Sequence, residues 1–223
     1  MSFDQWVTHS DHLVALIVAA GFSNRFGSAD KRSAKLDKHQ TLLAASYASA
    51  ARFFTNCRVL IRDDDDIRAL GLAPETPVCR TQHARQGQGA SMADGFKALL
   101  TDDALANVQS AAVWLGDIPH ITPSTLTQLS CKANPDNIIR PIWADQIGHP
   151  VFFGRRFWPE LAELHGDKGA AKILKHYHAT YQTIAVEDSG VCRDIDTQDD
   201  FKSLQLQLAS TRGTRYANLH RDD

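Results

Sequence analysis

No Cys-x-x-Cys pair occurs in this sequence, and its four cysteines, Cys57, Cys79, Cys131 and Cys192, are widely scattered. That spacing argues against a zinc ribbon and a disulfide framework, and fits a reducing compartment. Long hydrophobic runs are missing too. The longest, Leu13 to Ala20, is less than half of the roughly 20 residues needed to cross a bilayer. The N-terminal stretch MSFDQWVTHSDH is polar and holds two aspartates, so it does not read as a signal peptide. A soluble, cytoplasmic chain is expected. Neither sign of charge dominates: the formal net charge is −2. No whole-molecule attraction to nucleic acid or membrane follows, and any anion recognition must be local.

Two phosphate-binding patterns are also lacking. No Gly-Lys-Ser/Thr closes a P-loop, and no G-x-G-x-x-G marks a dinucleotide fold. What is present is an alternation of short apolar runs and helical periodicities. Leu13–Ala19, Cys57–Ile61, Val78–Arg80 and Ala111–Leu115 read as strands, the first buried on both faces. Leu43, Tyr47, Ala50, Ala51 and Phe54 recur at helical spacing, as do Met92, Phe96, Leu99 and Leu100. Pro123–Leu129 opens with a proline suited to a first helical turn. Ile138–Pro141 and Pro150–Phe153 read as two strands joined by a turn region. Helices follow at 157–164 and 170–177, a strand at 181–186 and a last helix at 197–208. Strand–helix alternation predicts right-handed βαβ units and a mostly parallel α/β sheet with one antiparallel addition. With 223 residues, one domain is expected over 13–208, between an N-terminal extension (1–12) and a polar C-terminal tail (209–223). The Asp63–Asp66 run reads as a helix start or a solvated turn, with no chemistry assigned.

The loop after the first strand concentrates charge. Between Arg25 and Lys38 lie five cations (Arg25, Lys31, Arg32, Lys35, Lys38) against two anions (Asp30, Asp37), a local balance of 5 − 2 = +3. Gly21 and Gly27 permit tight backbone geometry beside an anion. Composition alone leaves two readings open, a basic surface loop or a phosphate cradle. Asp117, just beyond a buried strand, is the best single metal carboxylate, though an aspartate there also serves as a turn residue.

The order of residues separates these readings. Ala19-Ala20-Gly21-x-Ser23-x-Arg25-x-Gly27, followed by Asp30-Lys31, resembles the signature loop of the MobA/MocA-like nucleotidyltransferases. Leu115-Gly116-Asp117-x-Pro119 is similar to that family's metal motif, and Asp194-Ile195-Asp196-Thr197 to its second acidic segment. Gln86 to Met92 resembles the base- and ribose-side segment, with Gly89 and Ser91. Gly148-His149-Pro150 resembles the acceptor-side motif of the cytidylyltransferase branch, and Gly166 to Ala170 a turn of the same branch. Two departures occur: Lys38-His39-Gln40-Thr41-Leu42 replaces the usual Gly-Lys/Arg-Pro-Leu, and Gln198 stands where proline is usual.

The resemblance implies a Rossmann-like, three-layer nucleotidyltransferase fold. It implies Arg25, Lys31 and Asp117 as catalytic residues, with Ala19, Ala20, Gly21, Ser23, Arg25, Gly27, Lys31, Gly89 and Ser91 on the nucleotide. It implies Mg²⁺ held by Asp117 and Asp196, with Asp194 as the alternative second ligand, and Gly148 and His149 on the acceptor side. Ala19-Ala20-Gly21 points to CTP, with a molybdopterin-type acceptor and a molybdoenzyme or its chaperone as a downstream partner. Two other readings stay open: transfer to another small phosphorylated acceptor, or a non-catalytic cofactor-binding protein on the same fold.

Overall fold

The computed structural model describes residues 11–22, 26 and 30–206. The expected extension and tail lie almost wholly outside these residues, as do Ser23, Arg25 and Gly27. Eight strands form one sheet in the order β3-β2-β1-β4-β7-β5-β6, with β8 also on β5. They are β1 (Leu13–Val18), β2 (Asn56–Arg62), β3 (Val78–Thr81), β4 (Ser110–Leu115), β5 (Ile138–Trp143), β6 (Gln146–Ile147), β7 (Val151–Gly154) and β8 (Tyr181–Ala185). The helices are α1 (Leu42–Ala51), α2 (Gln88–Thr101), α3 (Pro123–Ser130), α4 (Trp158–Leu161) and α5 (Ala171–His176). Residues 198–206 are also helical.

β1 lies at the centre because it has no polar face. Leu13, Ala15 and Ile17 point into one core, shared with Leu43, Val59 and Trp114. Val14 and Leu16 point into the other, shared with Phe96, Val113 and Trp158. One six-residue strand thus serves two layers, as the pleat requires. Its parallel neighbours are β2 and β4, and β3 extends the parallel set beyond β2.

β7 then inserts antiparallel to β4, pairing Val113 with Val151, and β5 runs antiparallel to β7. This is the expected antiparallel addition. β8 pairs with β5 in parallel. The β6–β7 stretch breaks at Gly148–Pro150. There the His149 N–H donates to Val191 O at 2.7 Å instead of joining the ladder. A side chain on Gly148 would press on that same Val191 carbonyl, with Cβ 2.5 Å from its oxygen.

Two helical periodicities need trimming. Leu100 is exposed while Met92, Phe96 and Leu99 are buried, so the apolar stripe of α2 is narrower than the sequence suggests. Only Trp158–Leu161 of the expected 157–164 helix is α-helical. Thr41 explains one departure from the family loop. It caps α1 through Ala44 N–H (3.1 Å) and donates to Leu70 O at 2.7 Å.

Candidate active site

The carboxyl ends of β1 and β4 lie side by side, where open α/β sheets collect their ligands. A cleft of about 400 Å³ opens there. Ala19, Gly21, Lys31, Arg32, Leu42, Gln88, Gly116, Asp117, Asp194 and Asp196 are on its walls. Segments far apart in sequence therefore meet, as anticipated: the first loop, the β4 end and the acidic segment before the last helix.

Lys31 sits on a short 3₁₀ turn, Lys31–Ser33, capped by Asp30, which accepts from Arg32 N–H. The Lys31 ammonium donates to Asp117 Oδ2 at 2.5 Å and to Asp196 Oδ1 at 3.2 Å. These contacts place a cation directly between two carboxylates, the charge pattern a divalent metal requires. The other Asp117 oxygen, Oδ1, is buried without a hydrogen-bond partner. Such an oxygen is costly unless something coordinates it. Among the described residues, no three His, Cys, Asp or Glu side chains converge to hold a metal by themselves. Two carboxylates supplemented by phosphate oxygens are nevertheless what Mg²⁺ commonly uses, so Asp117 and Asp196 fit a metal that arrives with its triphosphate. Asp194 lines the same cleft, and its carboxyl is pushed above the usual carboxylate range by burial and by the nearby Asp196 and Asp117 charges.

Asp65 belongs to the site's support, which sequence reading missed. Within the Asp63–Asp66 run its side chain is only 6% exposed. Its two oxygens take Arg32 Nη1 at 2.5 Å and Nη2 at 2.7 Å, and the Arg62 Nη2 at 2.9 Å. Arg32 also binds Asp30 and donates to Ala19 O at 2.7 Å. Two arginines and two aspartates thus form a buried, charge-balanced clamp that ties the turn carrying Lys31 to the end of β1. The expected surplus of positive charge is partly consumed here: Arg32 is structural rather than a free phosphate ligand. Only the Asp-Lys-Arg sequence at 30–32 hinted at such a knot, and it gave no sign of Asp65.

The base- and ribose-side segment is arranged differently from its simplest reading. Gln88 reaches the cleft, while Gly89 and Ser91 do not line it. Gly89 N–H donates to Gly166 O at 2.7 Å. Ser91 Oγ bonds back to Gly87 O at 3.3 Å. Gly87 has φ +110°, and a Cβ there would lie 2.1 Å from Asp167 Oδ1. The Gly166–Ala170 turn is therefore the support of the α2 start, which links two motifs that looked separate. Gly148 and His149 lie away from the cleft walls but on the same sheet edge. The connection is the 191–196 segment: Val191 O accepts from His149 N–H, and Ile195 N–H donates to Asp117 O at 3.3 Å. The His149 imidazole is pushed down to about 4, by burial first and the Arg140 charge second, partly offset by the Val113 backbone. It is neutral near pH 7.

Comparison with known proteins is in keeping with this geometry. The family described as the MobA-like NTP transferase domain matches residues 15–181. The purine catabolism protein PucB of Bacillus subtilis (strain 168) is 24% identical over 210 residues, spanning 90% of this chain and 99% of PucB. The crystal structure of Rv0371c from Mycobacterium tuberculosis H37Rv is 28% identical, with TM-score 0.73 over 87% of this chain and 97% of that one. Rv0371c in complex with manganese gives TM-score 0.69 at 25% identity, over the same shares of the two chains.

Proposed function

Because the chain belongs to the MobA-like NTP transferase family, we propose that it transfers a nucleotidyl group from a Mg²⁺-bound nucleoside triphosphate, CTP by preference, to a phosphorylated acceptor of the molybdopterin type, with release of pyrophosphate. The observation that carries this reading is the Lys31 ammonium set between Asp117 and Asp196 at the carboxyl edge of the sheet. CTP is favoured by the Ala19-Ala20-Gly21 start of the loop. The molybdopterin-type acceptor is favoured by the Gly148-His149-Pro150 motif. A divalent ion is favoured by the manganese complex of the mycobacterial relative.

The chemistry asks little covalent work of the protein. An acceptor phosphate monoester is already ionised near neutral pH, so its oxygen attacks the α-phosphorus without a general base. The bond to the β-phosphate breaks, and pyrophosphate leaves with that electron pair. Lys31 counters the charge that builds on the α-phosphoryl group and the departing pyrophosphate. Asp117 and Asp196 would hold the metal, which supplies electrostatic neutralisation of the triphosphate. Arg25 joins Lys31 on the phosphates, and the backbone from Ala19 to Gly21 lies against the nucleotide. Catalysis then rests on positioning and electrostatics, as elsewhere in phosphoryl chemistry.

The test is pyrophosphate release from CTP, GTP, ATP and UTP, each with Mg²⁺ or Mn²⁺ and with molybdopterin or simpler phosphate monoesters. Turnover of CTP with molybdopterin well above every other pair is expected, and loss of that turnover in Asp117→Asn. Equal turnover of all four nucleotides would refute the CTP assignment. Turnover only with a sugar phosphate would refute the acceptor, and metal-dependent nucleotide binding with no turnover on any acceptor would refute catalysis itself.

A further inference from the structure

Arg140 is a further cation near this end of the sheet, beyond Lys31, Arg32 and Arg62. It lies on β5, half-buried, and no carboxylate pairs with it among the described residues. Its Nε donates to Gly148 O at 3.2 Å, in the gap where the β6–β7 stretch leaves the ladder. Its other side-chain partner is the Tyr181 hydroxyl. Burying a guanidinium without an anion is costly, which is why buried charges are normally paired. The neighbouring His149 adds a second unsatisfied group: its Nδ1 is buried with no hydrogen-bond partner. An uncompensated fork donor and an unpartnered imidazole nitrogen therefore stand together.

The position of this pair relative to the cleft follows from the backbone. Val113 pairs with Val151, so His149 lies beside the carboxyl end of β4, the strand that leads into Asp117. The 191–196 segment touches Gly148 and His149 at one end and Asp117 at the other. The Cys192 thiol between them feels both the Arg140 charge and the Asp194 charge.

We propose that Arg140, assisted by His149, is the anion-binding residue that seats the phosphate of the acceptor, opposite the nucleotide held from the Lys31 side. This rests on the nucleotidyl-transfer reading for its role, but the anion site stands by itself. A planar guanidinium matches two phosphate oxygens at once, and the unpartnered Nδ1 beside it can accept from the O–H of a phosphate monoanion.

Isothermal titration of the full chain with inorganic phosphate, without metal or nucleotide, tests this. One site is expected, lost in Arg140→Gln, because without metal the Lys31 ammonium is held by Asp117 and Asp196 and offers phosphate no site. Arg140→Lys keeps the charge but not the fork and should weaken its site by about tenfold or more. If Arg140→Gln proves unstable, Arg140→Lys carries the test alone. Phosphate binding unchanged in a folded Arg140 variant overturns the proposal and leaves nucleotidyl transfer untouched. A site that depends on Arg140 in a protein that turns over no nucleotide supports the anion site and refutes the functional reading instead.

Discussion

Lys31 and Asp117 are 86 positions apart in sequence, yet the Lys31 ammonium lies 2.5 Å from an Asp117 oxygen, with Asp196 on its other side at 3.2 Å. The same residue is expected to bind nucleotide phosphates. It cannot fully serve both partners, so on the proposed function a metal–triphosphate complex would draw the ammonium away from Asp117 and Asp196, coupling nucleotide binding to metal binding through one side chain.

This coupling gives opposite effects of one substitution. Lys31→Ala should bind Mn²⁺ more tightly without nucleotide, by about fivefold, because a competing ion pair worth ~1 kcal/mol is gone. Turnover should fall by roughly two to three decades, the usual cost of deleting one charge-stabilising donor. Electron paramagnetic resonance of free Mn²⁺ reads the first effect, and pyrophosphate release the second. Unchanged Mn²⁺ affinity would disprove the competition, whatever happens to the rate.

Asp117→Asn removes charge where Oδ1 is buried and unpartnered. Metal affinity in the presence of nucleotide should drop by about tenfold to a hundredfold, the range of a lost charge-assisted contact. Asp194→Asn should have a much smaller effect if Asp196 is the second ligand. Mn²⁺ titrations of the three aspartate variants rank them, and an Asp194 loss larger than that of Asp196 would exchange their assigned roles.

The buried clamp predicts a stability defect. Removing one partner of a buried ion pair costs about 3–5 kcal/mol, because the remaining charge is stranded. Asp65→Ala and Arg32→Ala should each lower the unfolding free energy read from urea titration by this order. The double variant should lose clearly less than the sum, since both remove one network. Additive losses would show that Asp65 and Arg32 act separately.

That clamp also marks where sequence reading stops. β1 was legible because an unbroken apolar run allows only a strand buried on both faces, and Pro123 announced α3 by its suitability for the first turn. Motif order put Asp117 and Asp196 forward together, and the fold brings both against Lys31. Asp65 was not, because four consecutive aspartates look alike until the fold buries one of them, and burial is set by Arg32, over thirty residues earlier. Arg140 was hidden for a related reason. An arginine in a strand is ordinary in sequence, and only the tertiary pairing shows that no carboxylate pairs with it among the described residues.

His149 gives a pH dependence with a definite sign. Its ordinary value is near 6.5, and in the fold it is pushed down to about 4. Above pH 6.5 the imidazole is neutral in both folded and unfolded chains, and the full stability is present. As pH falls below 6.5 the unfolded chain takes up the proton first, so stability drops until about pH 4 and the contribution then levels off. The loss cannot exceed about 3 kcal/mol, the free-energy equivalent of this shift. Urea unfolding of the wild type and His149→Asn at pH 7.5, 5.5 and 4.5 isolates it, because carboxylate titration is common to both. The wild type should lose more stability than the variant between pH 6.5 and 4.5. Parallel pH profiles would mean that the imidazole titrates alike in the folded and unfolded chains, and that neither burial nor the Arg140 charge depresses it.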